Sequence, residues 1–183
     1  MKPNQFSTKI INSALVGLSV SAIAAIAPAV RAVEFPDGTV AFDRPPEFVE
    51  VDVNHNCVSM PADYFFTLQV PENGGEPVQR LTISQEEGLE EIDFNVEVTA
   101  ACESERKGEP IAIADVTRDP NGRNVSIAFE RPIQPGETAI VRLHTNRNPQ
   151  TDGIYLFGVT AFPEGDRVRG QFLGFKRLQL TAD

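Results

Sequence analysis

Histidine and cysteine occur only twice each in the 183 residues, and positive charge is scarce, with 16 basic residues against 26 acidic ones and a formal net charge of −10. That imbalance excludes nucleic acid and anionic membrane surfaces as partners, because a strongly acidic chain repels polyanions and favours cationic ligands or counter-ions. Hydrolase-type catalysis needs a base beside its nucleophile. The chain offers only His55 and His144 as imidazole bases and, beyond residue 32, only Ser59, Ser84, Ser104 and Ser126 as serines, none in a nucleophile-elbow sequence. No catalytic set is expected. Internal repeats and low-complexity linkers are missing as well.

The clearest feature present is at the N-terminus. Residues 1–9 carry Lys2 and Lys9 and no acid, and an apolar stretch follows over 14–27, interrupted only by Gly17, Ser19 and Ser21. Pro28 ends the stretch, and Val30-Arg31-Ala32 places small residues where a signal peptidase reads them, so residues 1–32 read as a cleavable secretory signal with cleavage before Val33. Ala27-Pro28-Ala29 offers a second cut. The competing reading is an uncleaved anchor, since 10–30 approaches the length that spans a bilayer. The Asn, Gly and Ser content and the small-residue exit favour cleavage, and Cys57 lies too far along to carry a lipid. The expected product is an exported chain of periplasm, medium or thylakoid lumen, with no stable membrane insertion after cleavage. Residues 33–183 then hold 13 basic and 26 acidic residues, a formal net charge of −13. Their length suits a single domain that buries about two thirds of its unfolded surface.

In an oxidising compartment an even cysteine count reads as a disulfide, so Cys57 and Cys102 are expected to be bridged; two separate buried thiols are the alternative. The rest of the chain alternates. Residues 48–53 and 93–98 place apolar and polar side chains on opposite faces, and further strands are expected over 64–70, 79–84, 111–116, 124–129, 138–144, 154–162 and 171–180. Asp119-Pro120-Asn121-Gly122 predicts a tight hairpin, because Asn-Gly tolerates positive φ. Pro132 and Pro135-Gly136 are read as breaking the chain after Phe129, and residues 84–91 as a turn or one short helix. Residues 154–162 are apolar on both faces, which implies a central strand or an exposed aromatic surface. These patterns predict an all-β, antiparallel β-sandwich of immunoglobulin-like or Greek-key type, with a closed β-barrel as the alternative.

Several segments together resemble one family. They are Val70-Pro71-Glu72 with Gly75-Glu76-Pro77-Val78, Phe129 with Pro132-Ile133-Gln134-Pro135-Gly136-Glu137-Thr138, Asn148-Pro149, and the run Gly153-Ile154-Tyr155-Leu156-Phe157-Gly158-Val159-Thr160-Ala161-Phe162-Pro163. The chain resembles the cyanobacterial exported family known only as domain of unknown function 2808. That resemblance implies export and a single domain, and brings no activity, ligand or catalytic residue.

Sites must therefore be sought in the residues. His55, Cys57 and Met60 supply imidazole, thiolate and thioether, the ligands soft copper prefers, although the order lacks a histidine between cysteine and methionine and a bridge would consume the thiolate. Asp115, Asp119, Asn121 and Asp152 offer oxygens for calcium without the spacing of a calcium loop, and Glu86, Glu87, Glu90, Glu91 and Asp93 form an acidic run that reads as a solvated face. The favoured expectation is a non-enzymatic binding or structural module of the cell envelope, with no cofactor, which takes a protein or glycan. Tyr155, Phe157, Phe172 and Phe175 are the aromatics to examine for exposure, with core packing the expected role for most of them. A small copper- or calcium-handling protein is the alternative, and an enzyme of unknown class, which would need His55 or His144 to meet a carboxylate in a cleft, is the third reading.

Overall fold

The computed structural model describes residues 33–34 and 36–182. The predicted signal, 1–32, lies outside the described residues. Among these, every regular element is a strand: β1 (Val33–Glu34), β2 (Val40–Ala41), β3 (Glu47–Val53), β4 (Ala62–Gln69), β5 (Val78–Glu87), β6 (Phe94–Glu103), β7 (Pro110–Ile111), β8 (Ile113–Arg118), β9 (Asn124–Ile133), β10 (Thr138–Thr145), β11 (Gly153–Pro163) and β12 (Gln171–Leu180). Among the described residues no helix is long and apolar enough to cross a membrane.

Ten strands form two five-stranded antiparallel sheets, in the orders β3-β4-β10-β6-β7 and β12-β11-β5-β9-β8, and β1 pairs with β2 in a small ribbon. Alternation decides which side chains go in. On β4, Ala62, Tyr64, Phe66 and Leu68 are buried while Asp63, Phe65 and Thr67 are half-buried, and β10 repeats the pattern with Ala139, Val141 and Leu143. From the second sheet Leu81, Ile83, Val125, Ile127, Phe129, Tyr155, Phe157 and Val159 meet them. Tyr64 and Phe66 of one sheet stand edge-on to Phe157 of the other, with ring centres 6.0 and 5.4 Å apart, and Phe94 stands edge-on to Tyr64 at 5.2 Å. Such edge-to-face contacts add to the stabilisation from buried apolar area. The sandwich is therefore confirmed over the barrel. The sheets touch at one rim through a single parallel bridge, Cys57 to Thr181, and do not close into one cylinder.

Three local expectations change. The predicted strand over 111–116 is split at Ala112, with β7 completing the first sheet and β8 the second. Pro132 does not end β9, which runs on to Ile133 because the register with β5 shifts between Val78 and Arg80 and the irregularity accommodates a residue without an N–H. Of the turn or short helix expected over 84–91 the turn is found, at Gly88, but it begins later than expected because β5 continues to Glu87.

The expected Cys57–Cys102 disulfide is not formed. Cys102 pairs with Ile140 on β10, five residues from Thr145, whereas Cys57 sits in the loop beyond Ala62, the partner of Thr145. At about 3.4 Å per residue that is some 17 Å along the strands, with two strands also intervening, and a disulfide needs Cα atoms within about 7 Å. Strand register, invisible in a cysteine count, places the thiols at opposite corners of the first sheet.

Candidate functional site

The loop bearing His55, Cys57 and Met60 is organised by a residue that the sequence marked only as part of the Asn148-Pro149 segment, with no role as an organiser. Asn148, 2% exposed, donates from Nδ2 to the carbonyl oxygens of His55 (3.0 Å) and Cys57 (2.9 Å), and its Oδ1 accepts from the hydroxyl of buried Tyr64 at 2.6 Å. Its own N–H donates to Met60 O at 2.7 Å. The Tyr64 hydroxyl is pushed well above the ordinary tyrosine range, by burial first and then by the neighbouring Tyr155. The loop thus presents its backbone inward, and the imidazole of His55 and the thioether of Met60, 49% exposed, belong to the surface. Among the described residues no three His, Cys, Asp or Glu side chains gather in a group able to hold a metal ion.

The other titratable candidates are engaged in local structure. His144 Nδ1 lies 2.9 Å from Asp63 Oδ1 across the β10–β4 pair, on the outer face of the first sheet. Ser84 and Ser126 stand on the second sheet, away from it. Asp119 closes the predicted hairpin by accepting from Asn124 N (3.0 Å) and Nδ2 (2.8 Å), and the Asn124 amide first of all holds its carboxyl below the usual carboxylate value. Arg118 lies between Glu91, at 2.9 Å, and Asp93 and forms an ion pair with each. Glu90 accepts from Thr151 Oγ1 and from Gln150 N (3.0 Å), which lower its pKa in that order. Asp115, Asn121, Asp152, Glu86 and Glu87 are exposed.

The four candidate aromatics divide. Tyr155 and Phe157 are fully buried on the inward positions of β11, the core role expected for most of the four: the sandwich core consumes one face of that strand. Phe172 and Phe175 are 43% and 52% exposed and stand against each other on β12, ring centres 4.8 Å apart at 61°. Phe172 lies over Gly158, where a Cβ would come within 2.9 Å of its ring. Beside them on β11 are Ile154, 57% exposed, and half-buried Leu156 and Phe162.

Strand register continues this apolar margin into a polar floor. Phe172 pairs with Thr160, Thr160 with Thr82, Thr82 with Ser126 and Ser126 with Thr117, a row of four hydroxyls across β11, β5, β9 and β8. Thr82 Oγ1 and Ser126 Oγ are 2.9 Å apart, and Thr117 is exposed. The next row runs from Phe175 through Gly158 and Ser84 to Asn124. Neighbouring strands set members of a row about 4.8 Å apart. These two rows of the outer face of the second sheet therefore form a terrace of small hydrogen-bonding groups with exposed rings along one side, flanked by the row of Phe162, Arg80, Ala128 and Asp115. Alternation made the outward placement of Ser126 legible; Thr117 lies beyond the strand expected over 111–116, Thr160 sits in a run apolar on both faces, and the strand order that aligns the row was not legible.

Sequence reasoning also passed over a pocket on the opposite side of the sandwich. Phe65, Ala100, Cys102, Ile140 and Arg142 of the first sheet, with Arg106, Gly108 and Pro110 above them, enclose about 240 Å³. The outward alternation of Phe65 and Arg142 on otherwise apolar strands was its only sequence signal.

No curated protein matches the chain. Among solved structures, the collagen-binding domain of a Staphylococcus aureus adhesin is similar at 8% identity and a TM-score of 0.40, covering 72% of this chain and 97% of that one. The collagen-binding subdomain of the Enterococcus faecalis surface protein ACE is similar at 10% identity and a TM-score of 0.45, covering 73% and 98%. The N-terminal domain of the Streptococcus gordonii adhesin Sgo0707 is similar at 14% identity and a TM-score of 0.48, covering 76% of this chain and 33% of that one. The family model described as protein of unknown function (DUF2808) matches residues 39–180, the whole of both sheets, and the chain belongs to that family.

Proposed function

We propose that the chain is an exported, non-enzymatic binding module of the cell envelope that takes a glycan on the outer face of its second sheet. The observation that carries this reading is the hydroxyl row Thr160, Thr82, Ser126 and Thr117, in register and ending on the exposed Phe172–Phe175 pair. A sugar ring has an apolar C–H face that packs on an aromatic ring and a rim of hydroxyls that exchange hydrogen bonds. A flat, antiparallel face presents both at regular intervals. Neutral hydroxyls also bind a polysaccharide without the charge complementarity that an acidic chain lacks toward polyanions. Large exposed rings are costly to keep in water and mark interaction surfaces.

Co-sedimentation of the exported protein with peptidoglycan sacculi, chitin and cellulose tests it. Retention by at least one polysaccharide is expected, weakened about tenfold, or 1.4 kcal/mol, by Phe172→Ala with Phe175→Ala and again by Thr82→Val with Ser126→Ala. Retention by none of them, retention unchanged in both double variants, or capture of envelope proteins alone would overturn the reading.

A further inference from the structure

We infer that the outer face of the first sheet carries a separate ligand site, the pocket beneath residues 104–109, which takes a small carboxylate borne on an apolar body. Arg142 is the centre of the argument. It stands on β10 between its register partners Phe65 of β4 and Ala100 of β6, and lines the pocket. Its Nη2 donates to Val98 O at 3.2 Å, the only hydrogen bond of its side chain among the described residues. Its Nε is shut off from solvent and has no acceptor among them. A buried donor without a partner is destabilising, and a guanidinium is the side chain that recognises a planar carboxylate through paired N–H groups.

The second arginine plays a different part. Arg106 reaches back across the sheet to an ion pair with Asp52, its guanidinium 4.3 Å from the centre of the Phe65 ring, so its charge is already matched and it serves as a wall. The turn that carries it is fixed by Ser104 N to Thr138 O and Glu103 N to Glu109 O, each 2.9 Å, and by the Cys102 thiol donating to Glu105 O at 2.8 Å. One uncompensated positive charge remains, among Phe65, Ala100, Ile140 and Pro110. That combination suits a monoanion with apolar bulk; a phosphate dianion demands more donors. The volume of about 240 Å³ lies below the roughly 300–1,000 Å³ of drug-sized sites, so the ligand is a single small group, free or displayed on a larger molecule. Because the chain is acidic overall, with a net charge of −10, this anion is held by contact and not drawn in from a distance.

Titration of the ¹⁵N-labelled protein with benzoate, and in a second arm with cyclohexanecarboxylate, followed by the amide signals of Ala100, Cys102 and Ile140, tests the inference. Saturable shifts at those amides are expected for at least one acid. Neutral benzamide or cyclohexanecarboxamide should bind about tenfold or more weakly, and Arg142→Gln should weaken the acid to the same degree. Arg142→Lys keeps the charge without the fork and is expected to fall between. Thermal melts of both variants separate lost binding from lost folding. Equal affinity for acid and neutral analogue, shifts confined elsewhere, or undiminished binding by a folded Arg142→Gln protein would each overturn the site. None of these results bears on the glycan face, which lies on the other sheet.

Discussion

Asn148 turns its whole side chain and its N–H to the interior: its amide nitrogen holds two carbonyls of the 54–61 loop, its oxygen accepts the Tyr64 hydroxyl, and its N–H reaches Met60 O. Asn148→Ala would leave a buried hydroxyl and two carbonyls short of partners. Each unsatisfied buried group costs about 1–3 kcal/mol, so a loss of roughly 3 kcal/mol is expected even if water enters to satisfy some of them. For a protein of this size that lowers the melting temperature by about 6–12 °C in a calorimetric scan. Exposed Asn121→Ala should leave it within about 0.5 kcal/mol of the parent. A melting temperature unmoved by Asn148→Ala would mean that the loop is held by other contacts. The role of Asn148 was not legible in the sequence, because two of its partner carbonyls lie 91 and 93 residues away. Asn148-Pro149 reads equally as an ordinary chain break. The division among the four aromatics was hidden for a related reason. Residues 154–162 are apolar on both faces, so alternation alone cannot say which face of β11 meets the core.

At the scale of elements, alternation and turn chemistry carried most of the information, and strand partnership carried the rest. The β8–β9 hairpin was legible because Asn121-Gly122 admits the left-handed backbone its turn needs: Gly122 has φ of 73°, and its N–H donates to Asp119 O at 2.9 Å. Gly122→Ala is expected to cost about 1–2 kcal/mol, the penalty for placing an ordinary residue in that conformation. A Cβ there would also come within 1.8 Å of Glu91 Oε1, which must swing away and loosen its ion pair with Arg118. Gly122→Asn should cost less, since Asn enters the left-handed region more readily. Chemical denaturation of the two variants checks the order, and equal stability of Ala and Gly would show that the turn relaxes to another type. By contrast, nothing local announced the division at Ala112. Residues 111–116 form one apolar-rich run, and the break arises because Ile111 pairs with Ala101 in one sheet while Val116 pairs with Ile127 in the other. The hydroxyl row shares that property, since four strands far apart in sequence must be ordered before it exists.

For the molecule as a whole, the unbridged cysteines decide where its stability comes from. A disulfide closing the loop from Cys57 to Cys102 would have contributed about 4 kcal/mol by restricting the unfolded chain. The structure relies instead on the apolar layer between the sheets, where Tyr64, Phe66, Phe94, Phe129, Tyr155 and Phe157 are all buried. A domain of about 150 residues buries enough surface to need no covalent staple. The two accounts differ by an amount that a melt resolves. If the bridge existed, reduction would lower the melting temperature by about 8–16 °C, at roughly 2–4 °C per kcal/mol. Without it, dithiothreitol should leave the transition within about 1 °C, and Cys102→Ser should do nearly the same, because Cys102 is only partly buried and a serine hydroxyl can still donate to Glu105 O. Peptide mapping without reduction should recover the two cysteine peptides unlinked. A large drop on reduction, with a linked 57–102 peptide, would mean that the sheets rearrange to bring opposite corners of the first sheet together, a change the register of β4, β10 and β6 opposes at every paired residue.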